Sequence, residues 1–225
     1  ISEPAVGLFH EVGAGKTLEI VIGTMELKRM GMVSKPVVVV PNHMLEQFSR
    51  EWLQAYPHAR VLAASSDDLA GDKRRLFVAR AAANDWDAVI MTRTAFERIP
   101  LSAKSQQSYL ERQIRDLRSV LEEATNEDRM SVKRLERKIL AFEQKSLKLM
   151  DQPKDAGLTF ESTGIDYVVV DEMHDYKNLA TESNISDARI EGSRRAADLH
   201  SKLEWLRGQH GDRVVTAATA TPLAN

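Results

Sequence analysis

The chain has 225 residues, no cysteine, a formal net charge of −2 and a pI near 6.4; this length suits one large α/β domain or two small ones, with a core that folds without staples. The lack of cysteine excludes a disulfide framework and thiolate metal sites and fits a cytoplasmic protein. Mild acidity argues against a strongly basic nucleic-acid coat, so any such contact must come from a local groove, and the longest apolar runs, such as Val37 to Val40, are strand-sized and exclude a membrane-spanning helix.

The opening Ile1-Ser2-Glu3-Pro4 has no initiator methionine, basic n-region or cleavage site, so it reads as no signal peptide and as part of a longer protein. From Ala5 an apolar strand runs into a glycine turn ending Gly15-Lys16-Thr17, and a helix-compatible run follows from Leu18 to Met30. That layout suits a phosphate cradle, in which backbone N–H groups and a helix N-terminus face one anion. The P-loop pattern G-x-x-x-x-G-K-[ST] is met except at its first position, where His10 stands. Gly13 and Gly15, the glycines nearest the lysine, are in place. His10-Glu11 begins like a zinc-binding H-E-x-x-H, but the fifth position is Ala14 and that reading fails.

Val37 to Val40 reads as a central parallel strand covered on both faces. Asn42 is placed to cap the next helix, with Met44, Leu45, Phe48, Trp52 and Leu53 as its apolar face. Arg60 to Ala64 is the next strand, and Asp72 to Asn84 a helix whose Lys73, Arg74, Arg75 and Arg80 form a solvated basic face. Ala88 to Thr92 follows as a strand ending in Thr92-Arg93-Thr94.

From Leu101 to Met150 the alternation of strand and helix breaks. Leu110, Ile114, Leu117 and Leu121 recur at four, three, four, and Leu135, Ile139, Phe142 and Leu149 continue the stripe after the polar Thr125 to Arg129. Two helices folded into an antiparallel hairpin are expected. Eleven Lys/Arg against eight Asp/Glu, mixed along the stretch, read as a solvated arm. Asp151 to Gly157 returns as a linker, Leu158 to Phe160 suits a short strand, and Asp166 to Val170 a long one that delivers Asp171 and Glu172 at its end. Thr181 to Gly192 is polar and aperiodic, expected to be mobile. Arg194 to Gly208 reads as a helix buried through Ala197, Leu199, Leu203 and Leu206, and Val214 to Ala218 as the last strand.

In an open parallel sheet ligands bind at the carboxyl ends of the strands, so the cradle and the Asp171-Glu172 pair can meet around one nucleotide. ATP phosphates would then rest on Val12, Gly13, Ala14, Gly15, Lys16, Thr17 and Leu18. Thr17 and Asp171 would ligate Mg²⁺, Lys16 would neutralise phosphate oxygens, and Glu172 would orient or deprotonate the attacking water.

HEVGAGKT, PNHMLEQFSREW, DEMHDYKN and TAATATPLAN, in that order, resemble the first half of a superfamily 2 helicase-type motor, most of all its SWI/SNF-like (DEAD/DEAH-type) branch. Asp171, Glu172, His174, Lys177 and Asn178 match that branch's D-E-x-H-x-x-K-N box, and Thr219, Ala220, Thr221, Pro222 and Asn225 its T-[AG]-T-P-x-x-N motif. HEVGAGKT is also similar to the helicase halves of phage- and plasmid-type helicase–methylase proteins.

The resemblance implies a three-layer RecA-like lobe over residues 1–100 and 151–225, a mainly parallel sheet, and an inserted helical hairpin over 101–150. It implies double-stranded DNA as partner, nucleic-acid contacts through Asn42, His43, Thr92 and Arg93, and coupling of nucleotide to DNA through His174, Thr219, Ala220 and Thr221. A second lobe carrying arginine fingers would follow Asn225, so this chain alone would bind ATP weakly and hydrolyse it hardly at all. The rival expectations are a nucleotide-gated scaffold that docks a protein through the hairpin, and a P-loop ATPase unrelated to nucleic acid.

Overall fold

The computed structural model describes residues 5–123, 129–150, 158–179 and 192–221. Strands β1 (Ala5–Phe9), β2 (Pro36–Val40), β3 (Val61–Ala64), β4 (Ala88–Thr92), β5 (Tyr167–Asp171) and β6 (Val215–Thr219) form one sheet in the order β1-β6-β5-β2-β4-β3. Every neighbouring pair is parallel. Helices α1 (Lys16–Arg29), α2 (Leu45–Ala55), α3 (Lys73–Ala83), α4 (Arg93–Glu97) and α7 (Arg194–His210) cover it. This is the three-layer, RecA-like α/β arrangement expected, with a sheet that is wholly rather than mainly parallel.

Strands β2, β4 and β5 are buried at all five positions, which is why they read as unbroken apolar runs. Alternate residues feed opposite layers. Val38, Val40, Ile90 and Val169 pack with Ile20 and Val21 of α1 and with Phe48 and Trp52 of α2. Val37, Val39, Met91 and Val170 pack instead with Phe77 and Val78 of α3, Phe96 of α4 and Leu199, Leu203 and Leu206 of α7.

Helices α5 (Ala103–Glu123) and α6 (Arg129–Met150) meet through Ile114, Leu117, Leu121, Leu135, Ile139 and Phe142, and Arg118 Nη2 donates to Glu143 Oε1 at 2.6 Å. Where the described chain resumes after the arm, it lies beside the start of α5. There the Phe160 N–H donates to Pro100 O at 2.8 Å, and the Ser102 N–H donates to both Glu161 carboxylate oxygens at 2.9 and 3.1 Å. Helix α5 is also tied to α7 by Tyr109 Oη–His200 Nδ1, 2.9 Å, and Arg112–Glu204, 3.6 Å.

Several local expectations are corrected. Asn42 caps no helix: residues Asn42–Met44 form a 3-10 turn that leads into α2, and Asn42 Oδ1 instead accepts from Thr94 Oγ1 at 3.3 Å. Leu53, expected on the apolar face of α2, is exposed, because that helix turns a narrower stripe to the sheet than its apolar content suggests. Thr92 is buried and caps α4, a short helix that the residue pattern does not announce, by accepting the Ala95 N–H at 3.2 Å. No strand forms at Leu158 to Phe160. A 3-10 turn over Phe160–Thr163 drives the Phe160 ring edge-on between Phe96 and Trp205, at centroid distances of 5.7 and 6.0 Å.

On α7 the buried residue is Ala196, not Ala197, and the same face buries Lys202 completely. Its Nζ donates to Phe96 O and to Asp198 Oδ2, both at 2.7 Å, and stands 4.1 Å from the Phe96 ring centroid. The linker at 151–157, the polar segment at 180–191 and the hairpin break at 124–128 lie outside the described residues; Arg129 opens α6. Among the described residues no helix is long and apolar enough to cross a membrane.

Candidate functional site

Because every strand runs the same way, all the carboxyl ends open onto one edge. The loop after β1 is separated from the end of β5 only by β6, so the Gly13–Thr17 turn and the Asp171-Glu172 pair face each other across one strand. The turns after β2 and β4 continue the same edge on the far side of β5.

Gly13 and Gly15 have φ of 86° and 91°, the left-handed region in which a side chain is strained, and no atom lies within 4 Å of where a Cβ would stand. The glycines are therefore needed for conformation, and the space in front of them is open. Helix α1 starts directly after Gly15 with no side-chain cap, which leaves its first N–H groups to an outside acceptor. Val12, Ala14 and Leu18 are exposed, Thr17 is half-buried, and Lys16 curls back so that Nζ donates to His10 O at 2.9 Å and Glu11 O at 3.0 Å. His10 Nδ1 lies 2.9 Å from Glu19 Oε2 and ties the loop to the helix it introduces.

Asp171 is only 7% exposed. Burial, followed by the adjacent Glu172 charge, raises its pKa above the ordinary carboxylate value; the Glu172 N–H donated to Oδ1 at 3.0 Å and the positive charges of Lys16 and Arg93 pull the other way. Among the described residues Glu172 is the single non-glycine with positive φ, at 54°. Such a conformation costs roughly 1–3 kcal/mol and persists where its surroundings over-determine it.

Those surroundings centre on His174, whose Nδ1 lies 3.0 Å from Thr219 Oγ1, 3.1 Å from Glu172 Oε2 and 3.3 Å from Thr221 Oγ1. With Nδ1 protonated the ring donates to Glu172; with Nδ1 unprotonated it accepts from a threonine hydroxyl. One histidine therefore joins the ends of β5 and β6. Thr219 is buried, its Oγ1 also accepting the Thr221 N–H at 3.1 Å, and Ala220 sits half-buried between them.

On the other side, a crevice of about 500 Å³ runs among Asn42, His43, Arg93, Asp171, Glu172 and His174. Asn42 and His43 are exposed on its rim. Arg93 is largely buried, its Nη1 ion-paired with Asp175 Oδ2 and, among the described residues, its Nε without a partner; burial lowers its pKa. Asp175 is a site residue that sequence reasoning misses. Its signal is the third acid in DEMHDYKN, which needs a cation nearby, but which cation only the approach of the first residue of α4 to the turn after β5 reveals.

Among the described residues no cluster of three or more His, Asp or Glu side chains forms a metal cage. A Mg²⁺ that arrives with phosphate and water oxygens needs only one or two protein ligands. Thr17 and Asp171, one strand apart, are of the right chemistry.

No curated protein matches the chain. Among solved structures it is similar to the SWI2/SNF2 ATPase core of Sulfolobus solfataricus in complex with dsDNA, at 14% identity and a TM-score of 0.45, over 97% of this chain and 28% of that one. This chain therefore spans little more than a quarter of that protein's length. The family model described as a probable helicase domain matches residues 5–224. With essentially its whole length covered by that match, the chain belongs to the probable helicase domain family.

Proposed function

We propose that the chain is the ATP-binding lobe of a nucleic-acid-dependent ATPase of helicase or translocase type, acting on double-stranded DNA. The observation that carries this reading is the convergence of Lys16 and Asp171 on one sheet edge, with β6 alone between the strands that lead to them.

In this reading the backbone N–H groups of Val12 to Leu18 receive the β- and γ-phosphates, and Lys16 exchanges the carbonyls of His10 and Glu11 for phosphate oxygens. Thr17 and Asp171 would hold Mg²⁺, which would supply neutralising charge at the phosphates. Glu172 orients or deprotonates the attacking water. His174 exchanges partners between Glu172 and the hydroxyls of Thr219 and Thr221, which carries the state of the nucleotide from β5 to the Thr219-Ala220-Thr221 turn. Asn42 and His43 meet the nucleic-acid backbone from the crevice rim. Arg93 joins them once it releases Asp175, while Thr92 serves by holding the first turn of α4.

A second lobe of a longer protein would supply the arginine finger, worth about 10³ or more in rate. This chain alone therefore binds nucleotide weakly and turns it over hardly at all. In the longer protein, duplex DNA should stimulate ATP hydrolysis and Lys16→Ala should abolish it. Turnover that DNA leaves unchanged overturns the motor reading, and robust multiple turnover by the 225-residue chain overturns the need for a second lobe.

A further inference from the structure

The charges of the helical arm segregate between its two helices. Helix α5 carries four Lys/Arg and four Asp/Glu, whereas α6 carries seven Lys/Arg and two Asp/Glu, a net charge of +5 on 22 residues of a chain that is acidic overall. Successive helical residues turn by about 100°. Lys133, Arg134, Arg137, Lys145 and Lys148 therefore fall together on one side of α6, turned away from Leu135, Ile139, Phe142 and Leu149, while Glu136 and Glu143 stand on the opposite flank.

All five basic residues are exposed, and among the described residues none has an ion-pair partner. Arg118 of α5 takes up Glu143, and the nearby Lys138 is half-buried over the Phe142 ring. Cations concentrated on one face of a helix repel one another, and nothing in the packing of α5 and α6 requires them.

We infer that this face of α6 is a phosphate-backbone contact for duplex nucleic acid, separate from the crevice at the sheet edge. The stripe from Lys133 to Lys148 extends about 22 Å at 1.5 Å per residue. Duplex DNA presents a phosphate charge every ~1.7 Å of its axis, so the five side chains can each reach an anion without base contacts and hence without sequence preference. The arm's root is fixed by the Glu161 carboxylate and by the Tyr109–His200 and Arg112–Glu204 contacts to α7. The stripe is consequently held at a set position on the lobe, as a guide for a duplex needs to be.

The experiment is fluorescence-anisotropy titration of a labelled duplex oligonucleotide with the 225-residue chain, without nucleotide, over a range of salt. Replacing the five residues by glutamine should weaken binding about tenfold or more at low salt and flatten the log K against log salt plot by about 0.9 for each phosphate no longer neutralised. Exchanging Lys133, Lys145 and Lys148 for arginine should keep both affinity and slope. Glu136→Gln/Glu143→Gln should leave them equal or raised. Arg134→Gln/Arg137→Gln gives the same reading, in smaller measure, should the fivefold variant lose its helical circular dichroism.

Unchanged affinity and slope overturn the inference, as does a loss produced by Arg93→Gln while the α6 variants bind normally. Tight binding to an acidic polypeptide with none to the duplex also overturns it. Lys16→Ala should bind the duplex like the parent chain, so failure of the nucleotide reading and failure of this one are separately visible.

Discussion

The carboxyl edge of the sheet and the helical arm handle charge in opposite ways. At the edge, Asp171, Glu172, Arg93, Asp175 and His174 crowd together with one another as partners, the pKa values of Asp171 and Arg93 displaced by burial. On the arm, Lys133, Arg134, Arg137, Lys145 and Lys148 of α6 stand in water beside a short apolar seam. The edge is assembled from turns far apart in sequence, and each side chain there is positioned by several elements. The arm is made by periodicity alone. Chemistry that must distinguish one protonation or ligand state from another needs the first construction, whereas contact with a repeating polyanion needs only the second.

The largest effect is expected where the body of the lobe buries charge most deeply. Burial lowers the pKa of Lys202 and raises that of Asp198, and each is retained by the other. Asp198→Ala should cost about 3 kcal/mol in denaturant unfolding, because it strands a buried ammonium, and Asp198→Leu/Lys202→Met should recover most of the loss. A loss below ~1 kcal/mol would mean that the body tolerates unpaired charge as the arm does, and the contrast would fail.

In the arm, Ile139→Ala removes one of the four buried residues of the seam. A cost of about 2 kcal/mol is expected, seen as faster amide hydrogen exchange in α5 and α6 while β2, β4 and β5 keep their protection. Equal loss of protection in the sheet would show that arm and lobe unfold as one unit.

The smallest effect sharpens the comparison at the edge itself. The folded pKa of Asp171 is raised, so its ionised form is disfavoured by folding. The group therefore favours the fold below its unfolded pKa, and that benefit is lost as pH rises through the folded value. Asp171→Asn should raise Tm at neutral pH, with the gain shrinking as pH falls through the raised folded value and gone below about 4, where the unfolded carboxyl is protonated as well. A lower Tm at neutral pH would show that the carboxylate is stabilised by its neighbours rather than strained among them.

Much of this is legible in one dimension. Valine runs at Val37 to Val40 and Asp166 to Val170 announce buried parallel strands because a strand covered on both faces has no polar side to show. Gly13 and Gly15 announce the turn because few other residues accept a φ near 90°. The heptad-like spacing of Leu110 to Leu149 announces two packed helices. The sign count over Leu101 to Met150 misleads, since it averages a neutral α5 with a basic α6. Leu53 misleads as well, because an apolar residue in a helix is buried only if its stripe is the one turned to the sheet.

By itself, then, the sequence determined where the glycine turn falls and which strands are buried on both faces, since backbone conformation and burial are imposed there by local residue types. The pairing of Arg93 with Asp175, the span of His174 from β5 to β6 and the burial of Lys202 against Phe96 were decided only by the tertiary structure. The strand order β1-β6-β5-β2-β4-β3 brings together residues that spacing along the chain leaves unrelated.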